Sequence, residues 1–160
     1  MSAVFRAFLI LFLAALTGCS KGGSSGAADA QPAHHEHHPP HGGTPVALGD
    51  EAYHLELVRD ADSGKIDAYL LDGEMEEFVR TAAASFEVSA AVGGEKKTLV
   101  FQAVANPATG ETVGNTSCFE ARADWIAGTP AFDAVLTRLE VRGTSFQNVA
   151  FNFPRGNDTD

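Results

Sequence analysis

Cysteine is scarce, with two residues in a chain of 160, so no disulfide framework can organise the fold. Basic residues are few as well. Lys and Arg number 11 against 21 Asp and Glu, a formal net charge of −10, which argues against nucleic acid as a partner and against attraction to anionic lipid. No GxSxG elbow, P-loop, Gly-rich dinucleotide fingerprint or HExxH motif occurs, and no carboxylate pair stands out as an acid–base couple, so the chain is not expected to be an enzyme. Long hydrophobic runs are also missing. The run from Ala7 to Leu16 falls well short of the roughly 20 apolar residues a membrane-spanning helix needs. No internal repeat at a fixed period is present.

What the sequence does contain is concentrated. All six histidines lie between His34 and Glu56. His34, His35, His37, His38 and His41 form a tract in which Glu36 adds a carboxylate, while Pro32, Pro39 and Pro40 keep the backbone extended. Imidazole is a borderline ligand suited to copper, zinc and nickel, and such a tract can chelate these ions without a folded site. The competing reading is a polar spacer whose histidines carry no function. His54 differs in kind because it sits in a segment that alternates as a strand. Tyr53, Leu55 and Leu57 share one face there, and His54, Glu56 and Val58 share the other. His54 and Glu56 are therefore a ligand with its orienting carboxylate, two ligands, or a structural pair.

The first 18 residues read as a signal peptide, with one positive charge at Arg6 before the short apolar core. Leu16-Thr17-Gly18-Cys19 resembles the lipobox of bacterial lipoproteins. The resemblance implies that Cys19 is acylated (the modification that includes palmitate) and becomes the first mature residue. With Ser20 following, it implies a protein anchored at the outer membrane and facing the periplasm. Residues 19–43 then form a flexible, His-rich tether, since Lys21 to Ala33 is Gly, Ser and Ala without apolar periodicity. Loss of Arg6 with the leader leaves 10 basic and 21 acidic residues, 10 − 21 = −11. Once Cys19 is lipidated, Cys118 has no partner within the chain and reads as an inert thiol, with a soft metal ligand as the alternative.

From Thr44 onward the segments are short, alternating and punctuated by turns. Candidate strands cover 44–48, 52–60, 65–72, 85–92, 96–104, 117–124, 137–141 and 145–153. Residues 74–80 are expected as a helical turn or a loop whose Phe78 and Val79 plug the core. Residues 125–130 are expected as a turn, 131–136 as a short helical turn, and 155–160 as a disordered polar tail. This pattern predicts one all-β domain over 44–154, an antiparallel sandwich of immunoglobulin-like character, with a closed barrel as the alternative.

Across residues 41–72, His41-Gly42-Gly43, Leu48-Gly49, Tyr53-His54-Leu55-Glu56-Leu57-Val58, Gly64-Lys65 and Tyr69-Leu70-Leu71-Asp72 resemble a pattern of N-terminal domains in periplasmic adaptor proteins of heavy-metal efflux pumps. Small standalone bacterial lipoproteins share it. The resemblance implies a metal-related β-domain, with His41, His54, Glu56 and Asp72 as the positions carried over, and a metal-efflux or other envelope protein as partner. This chain lacks the long helical hairpin and barrel domain of such adaptors, so pump assembly is not implied. The expectation is an envelope lipoprotein that binds or buffers copper, zinc or nickel, as a divalent or cuprous ion. The alternative is a structural or interaction module with no metal role. If Cys19 carries the anchor, Cys19→Ser moves the protein from the detergent-extracted membrane to the soluble fraction on cell fractionation. Unchanged membrane association would refute lipidation.

Overall fold

The computed structural model describes residues 37–158. The segment expected as a signal peptide, Cys19, the segment from Lys21 to Ala33, and His34, His35 and Glu36 lie outside the described residues. Eight strands and one short helix follow in order: β1 (Thr44–Leu48), β2 (Tyr53–Asp60), β3 (Lys65–Asp72), β4 (Ser85–Val92), β5 (Glu95–Ala103), β6 (Cys118–Arg122), α1 (Asp124–Gly128), β7 (Phe132–Val141) and β8 (Thr144–Phe153). The all-β antiparallel architecture expected from the alternation is the one observed. All eight strands belong to one hydrogen-bonded sheet in the order β1-β2-β3-β6-β5-β4-β7-β8. β4, β5 and β6 run consecutively with β3 returning beside β6 and β7 beside β4, so two Greek keys share these three strands.

The sheet folds round a single core in the manner of a sandwich or barrel. Alternation sends Leu55 and Leu57 of β2, Leu70 of β3, Val88 of β4, Phe101 of β5 and Phe119 of β6 inward. Phe86 lies parallel to Phe101, with centroids 4.7 Å apart, and meets Phe119 edge-on at 5.0 Å; such aromatic pairs add to their area burial. β1 does not pair with β8 but is held near its end by the chain beyond it. Thr44 Oγ1 donates to the Pro154 carbonyl at 3.1 Å, and the Asn157 side chain accepts from Ala47 N at 2.8 Å and donates to Ala47 O at 3.3 Å. The Asn157 amide thus takes the place of a neighbouring strand at the β1 edge, satisfying backbone groups that would otherwise be unpaired.

Several expectations are corrected. Residues 155–158 are not a loose tail, because their side chains and backbone bond back to the sheet. The tether was expected to run to residue 43, but His41 and Gly43 bond to Glu56 of β2 and the His37 ring packs against His54. Residues 132–136 are strand rather than helical turn, forming the first half of β7, and residues 125–130 are partly helical, with α1 burying Ile126. In the loop after β3, Val79 fills the core at 3% exposure while Phe78 stays outside at 49%.

The core predicts its own energetics. Phe119→Ala is expected to cost about 3–5 kcal/mol, the range for a buried Phe truncation, whereas Val113→Ala, at a side chain 63% exposed, should lie within about 0.5 kcal/mol of the parent. Equilibrium urea denaturation of the two variants measures the difference.

Candidate metal centre

β2 is buried on both faces. Leu55 and Leu57 face the core, and the opposite face carries His54 and Glu56, each 0% exposed. A buried carboxylate is tolerated only with hydrogen-bond partners, and those of Glu56 come from the segment just before β1. Glu56 Oε1 accepts from the backbone N–H groups of His41 (2.7 Å) and Gly43 (2.9 Å), and Oε2 lies 2.8 Å from His41 Nδ1. Two backbone N–H groups converging on one oxygen make an anion-holding concavity. Gly42 turns the chain between them with φ +67°, a conformation that costs other residues. At Gly43 a Cβ would stand 2.7 Å from Leu57 O and 2.8 Å from Glu56 Cγ, so the close approach requires glycine. The His41 ring completes the clamp by lying flat on Tyr69, centroids 4.0 Å apart and 16° from parallel.

His54 is held from the other side. Its Nδ1 is 3.3 Å from the Asp72 backbone carbonyl. A carbonyl only accepts, so Nδ1 carries the hydrogen and the neutral ring directs a lone pair from Nε2. That lone pair meets Asp158 Oδ2 at 3.6 Å and the His37 ring at a centroid distance of 4.5 Å. His37 Nδ1 is itself 2.7 Å from Asp158 Oδ2. His54 Nε2 and Asp158 Oδ1 are both buried without a hydrogen-bond partner, and leaving such groups unsatisfied costs about 1–3 kcal/mol each. Burial lowers the pKa of His54, opposed by the Asp72 carbonyl and reinforced by the His37 ring, which keeps the imidazole neutral and competent to ligate.

His37, His54 and Asp158 offer one ligand atom each within 4.8 Å of one another. Ligand atoms of a tetrahedral zinc ion stand roughly 3.4 Å apart, as follows from bonds of about 2.0–2.2 Å. The separation of 3.6 Å between His54 and Asp158 already approximates that edge, and the 2.7 Å contact needs only the proton between His37 and Asp158 exchanged for the larger ion. The Asp72 carbonyl plays the part that an orienting acceptor plays behind a metal-bound histidine.

Of the residues singled out in the sequence, the structure brings His37 and His54 into this group. His41 and Glu56 instead pair with one another. The Asp72 carboxylate accepts from Glu76 N at 2.9 Å and Glu77 N at 3.2 Å, closing a turn, so only its carbonyl serves the site. His38 is exposed and outside the group. His34 and His35 lie outside the described residues. Asp158 was not singled out, and no local signal marks it, because its role arises only where the chain after β8 crosses β2. Cys118 lines a separate pocket of about 540 Å³ with His41, Tyr69 and Phe78; burial pushes its thiol up to about 11, so it stays protonated and a poor ligand at neutral pH. Comparison with known proteins finds no matching family model, curated protein or solved structure.

The His54 shift fixes a pH dependence in the metal-free protein. Above about 6.5 the ring is neutral both folded and unfolded, and it contributes nothing. Below that value the unfolded chain takes up a proton that the folded state resists, so stability falls as pH falls. As pH falls below about 6.5, the unfolding free energy of the parent should drop more steeply than that of His54→Ala. Parallel slopes in chemical denaturation would contradict the buried neutral ring.

Proposed function

We propose that this protein binds one divalent transition-metal ion through His37, His54 and Asp158, as a lipid-anchored protein of the cell envelope that holds or buffers the ion. The observation that carries the reading is the buried lone pair of His54 Nε2, oriented by the Asp72 carbonyl and unpartnered, facing a carboxylate and a second imidazole. Two imidazoles and one carboxylate suit zinc, copper(II) or nickel. A cuprous ion is disfavoured because it prefers thiolate or thioether ligands, and Cys118 is not in the group. The side chains of His37, His54 and Asp158 are 4%, 0% and 6% exposed, which suits retention of an ion better than turnover of a substrate, and so favours a binding protein over an enzyme. The outer-membrane, periplasm-facing location, acylation of Cys19 and an envelope partner that supplies or receives the ion belong to the same proposal. Their support is the lipobox-like leader and the resemblance of residues 41–72 to efflux-adaptor domains.

The folded group and the tract make different predictions. Zinc titrated calorimetrically into the full chain should fill one tight site. Changing His34, His35 and His38 together to Ser should leave that site intact. His37→Ser, His54→Ala and Asp158→Asn should each weaken it by more than the roughly 10–100-fold that losing an orienting partner costs. Retention of tight binding by His54→Ala, with loss in the triple-Ser variant, would transfer the function to the tract and sink this reading.

A further inference from the structure

We propose that the ion is also a clasp, tying both ends of the domain onto β2 so that occupancy decides whether the residues around His37 lie docked or leave the sheet. The inference rests on the metal-binding reading above and concerns what binding does to the chain. The three ligands come from three separate places: His37 precedes β1, His54 is within β2, and Asp158 follows β8. The first and last are 121 positions apart. An ion shared among them joins segments that the sheet does not join.

Two attachments of the chain before β1 differ in kind. His41 and Gly43 are fixed to Glu56 by three contacts of 2.7–2.9 Å, none of which involves the three candidate ligands. Beyond the turn in which Gly42 N donates to Pro39 O at 2.9 Å, His37 reaches the Asp158 carboxylate. Asp158 likewise lies past an anchor, the paired contacts of Asn157 with Ala47. Without an ion, His54 Nε2 and Asp158 Oδ1 are buried and unsatisfied, and the docked arrangement is disfavoured by that amount. With an ion, His54 Nε2 becomes a ligand beside the Asp158 carboxylate, and docking is favoured. A ligand shifts such an equilibrium by its differential affinity for the two states, and only the docked state assembles the full ligand set. The Glu56 clamp is then a fixed pivot and the His37–His54–Asp158 group a releasable latch.

Backbone ¹⁵N relaxation on the isotope-labelled full chain, with and without one equivalent of zinc, tests this directly. With zinc, the amides of His37, His38 and Asp158 should show order parameters near about 0.85, and chelation should drop them below about 0.6. Those of His41 and Gly43 should stay high in both states. Asp158→Asn, which keeps the side-chain shape, should abolish the zinc-dependent change, as should His54→Ala if that variant folds. Stoichiometric zinc binding with unchanged order at His37 and Asp158 would overturn the clasp while leaving the metal site standing. Absence of zinc binding would remove both.

Discussion

The Glu56 carboxylate sits on the sheet face that does not look into the core, yet it is fully buried, and much of the N-terminal architecture follows from that placement. Stripping one partner from a buried charge costs about 3–5 kcal/mol, so the chain before β1 must remain where His41 and Gly43 can donate to it. The demand reaches back into the choice of residues. Gly42 has to turn with positive φ, Gly43 cannot carry a Cβ, and the ring of His41 needs the flat surface of Tyr69 on the adjoining strand. Once residues 41–43 are pinned, the chain ahead of them is led across β2, and His37 arrives beside His54.

Stability and chemistry are divided between the two faces of β2. The inner face contributes Leu55 and Leu57 to a core built from phenylalanine and aliphatic side chains, whose burial needs neither metal nor disulfide. The outer face holds polar groups that gain little from being buried and must be satisfied one by one. Glu56 is satisfied by the chain itself. His54 is satisfied at Nδ1 only. That difference between neighbours two residues apart separates a structural polar residue from one that invites a ligand.

The strands were readable wherever one face is apolar and the other is not, as in β4, where Phe86, Val88 and Ala90 are buried. β7 was obscured for two reasons. Ala131 and Val135 are apolar on the wrong side of the alternation, and Thr137 and Arg138 are both exposed where the pairing with β4 slips at a bulge between Glu87 and Val88. Buried positions Leu136 and Leu139 are therefore three apart, a helical spacing within a strand. On β2, alternation correctly placed His54 beside Glu56 but could not say that their face is covered, because the cover comes from residues 37–43 and 155–158. The same limit applies to the site. The histidines of β2 and the tract were visible as residue types, whereas Asp158 and Asn157 act through partners far away in sequence, such as His37, His54 and Ala47, which no local pattern encodes.

Histidine content alone would credit the whole tract with binding; among its described members the geometry sets His37 beside His54 and Asp158, His41 on Glu56, and His38 outside the group. A ligand on an unconstrained segment gives up conformational freedom when the ion binds, at roughly 1–2 kcal/mol for each residue fixed. His54 gives up almost none, because β2 and the Asp72 carbonyl already hold its ring. Asp158 follows the Asn157 anchor directly, and His37 lies a short turn beyond the Glu56 clamp, so in the proposed site only these short ends would remain for the ion to order. In the proposed site folding would bear the rest of the ordering cost in advance, which is how preorganisation would make two imidazoles and a carboxylate a single defined centre. By that reasoning the polar clamp on Glu56 would contribute to the affinity of the proposed site without touching the ion, since it determines how much of the chain an ion would still have to order.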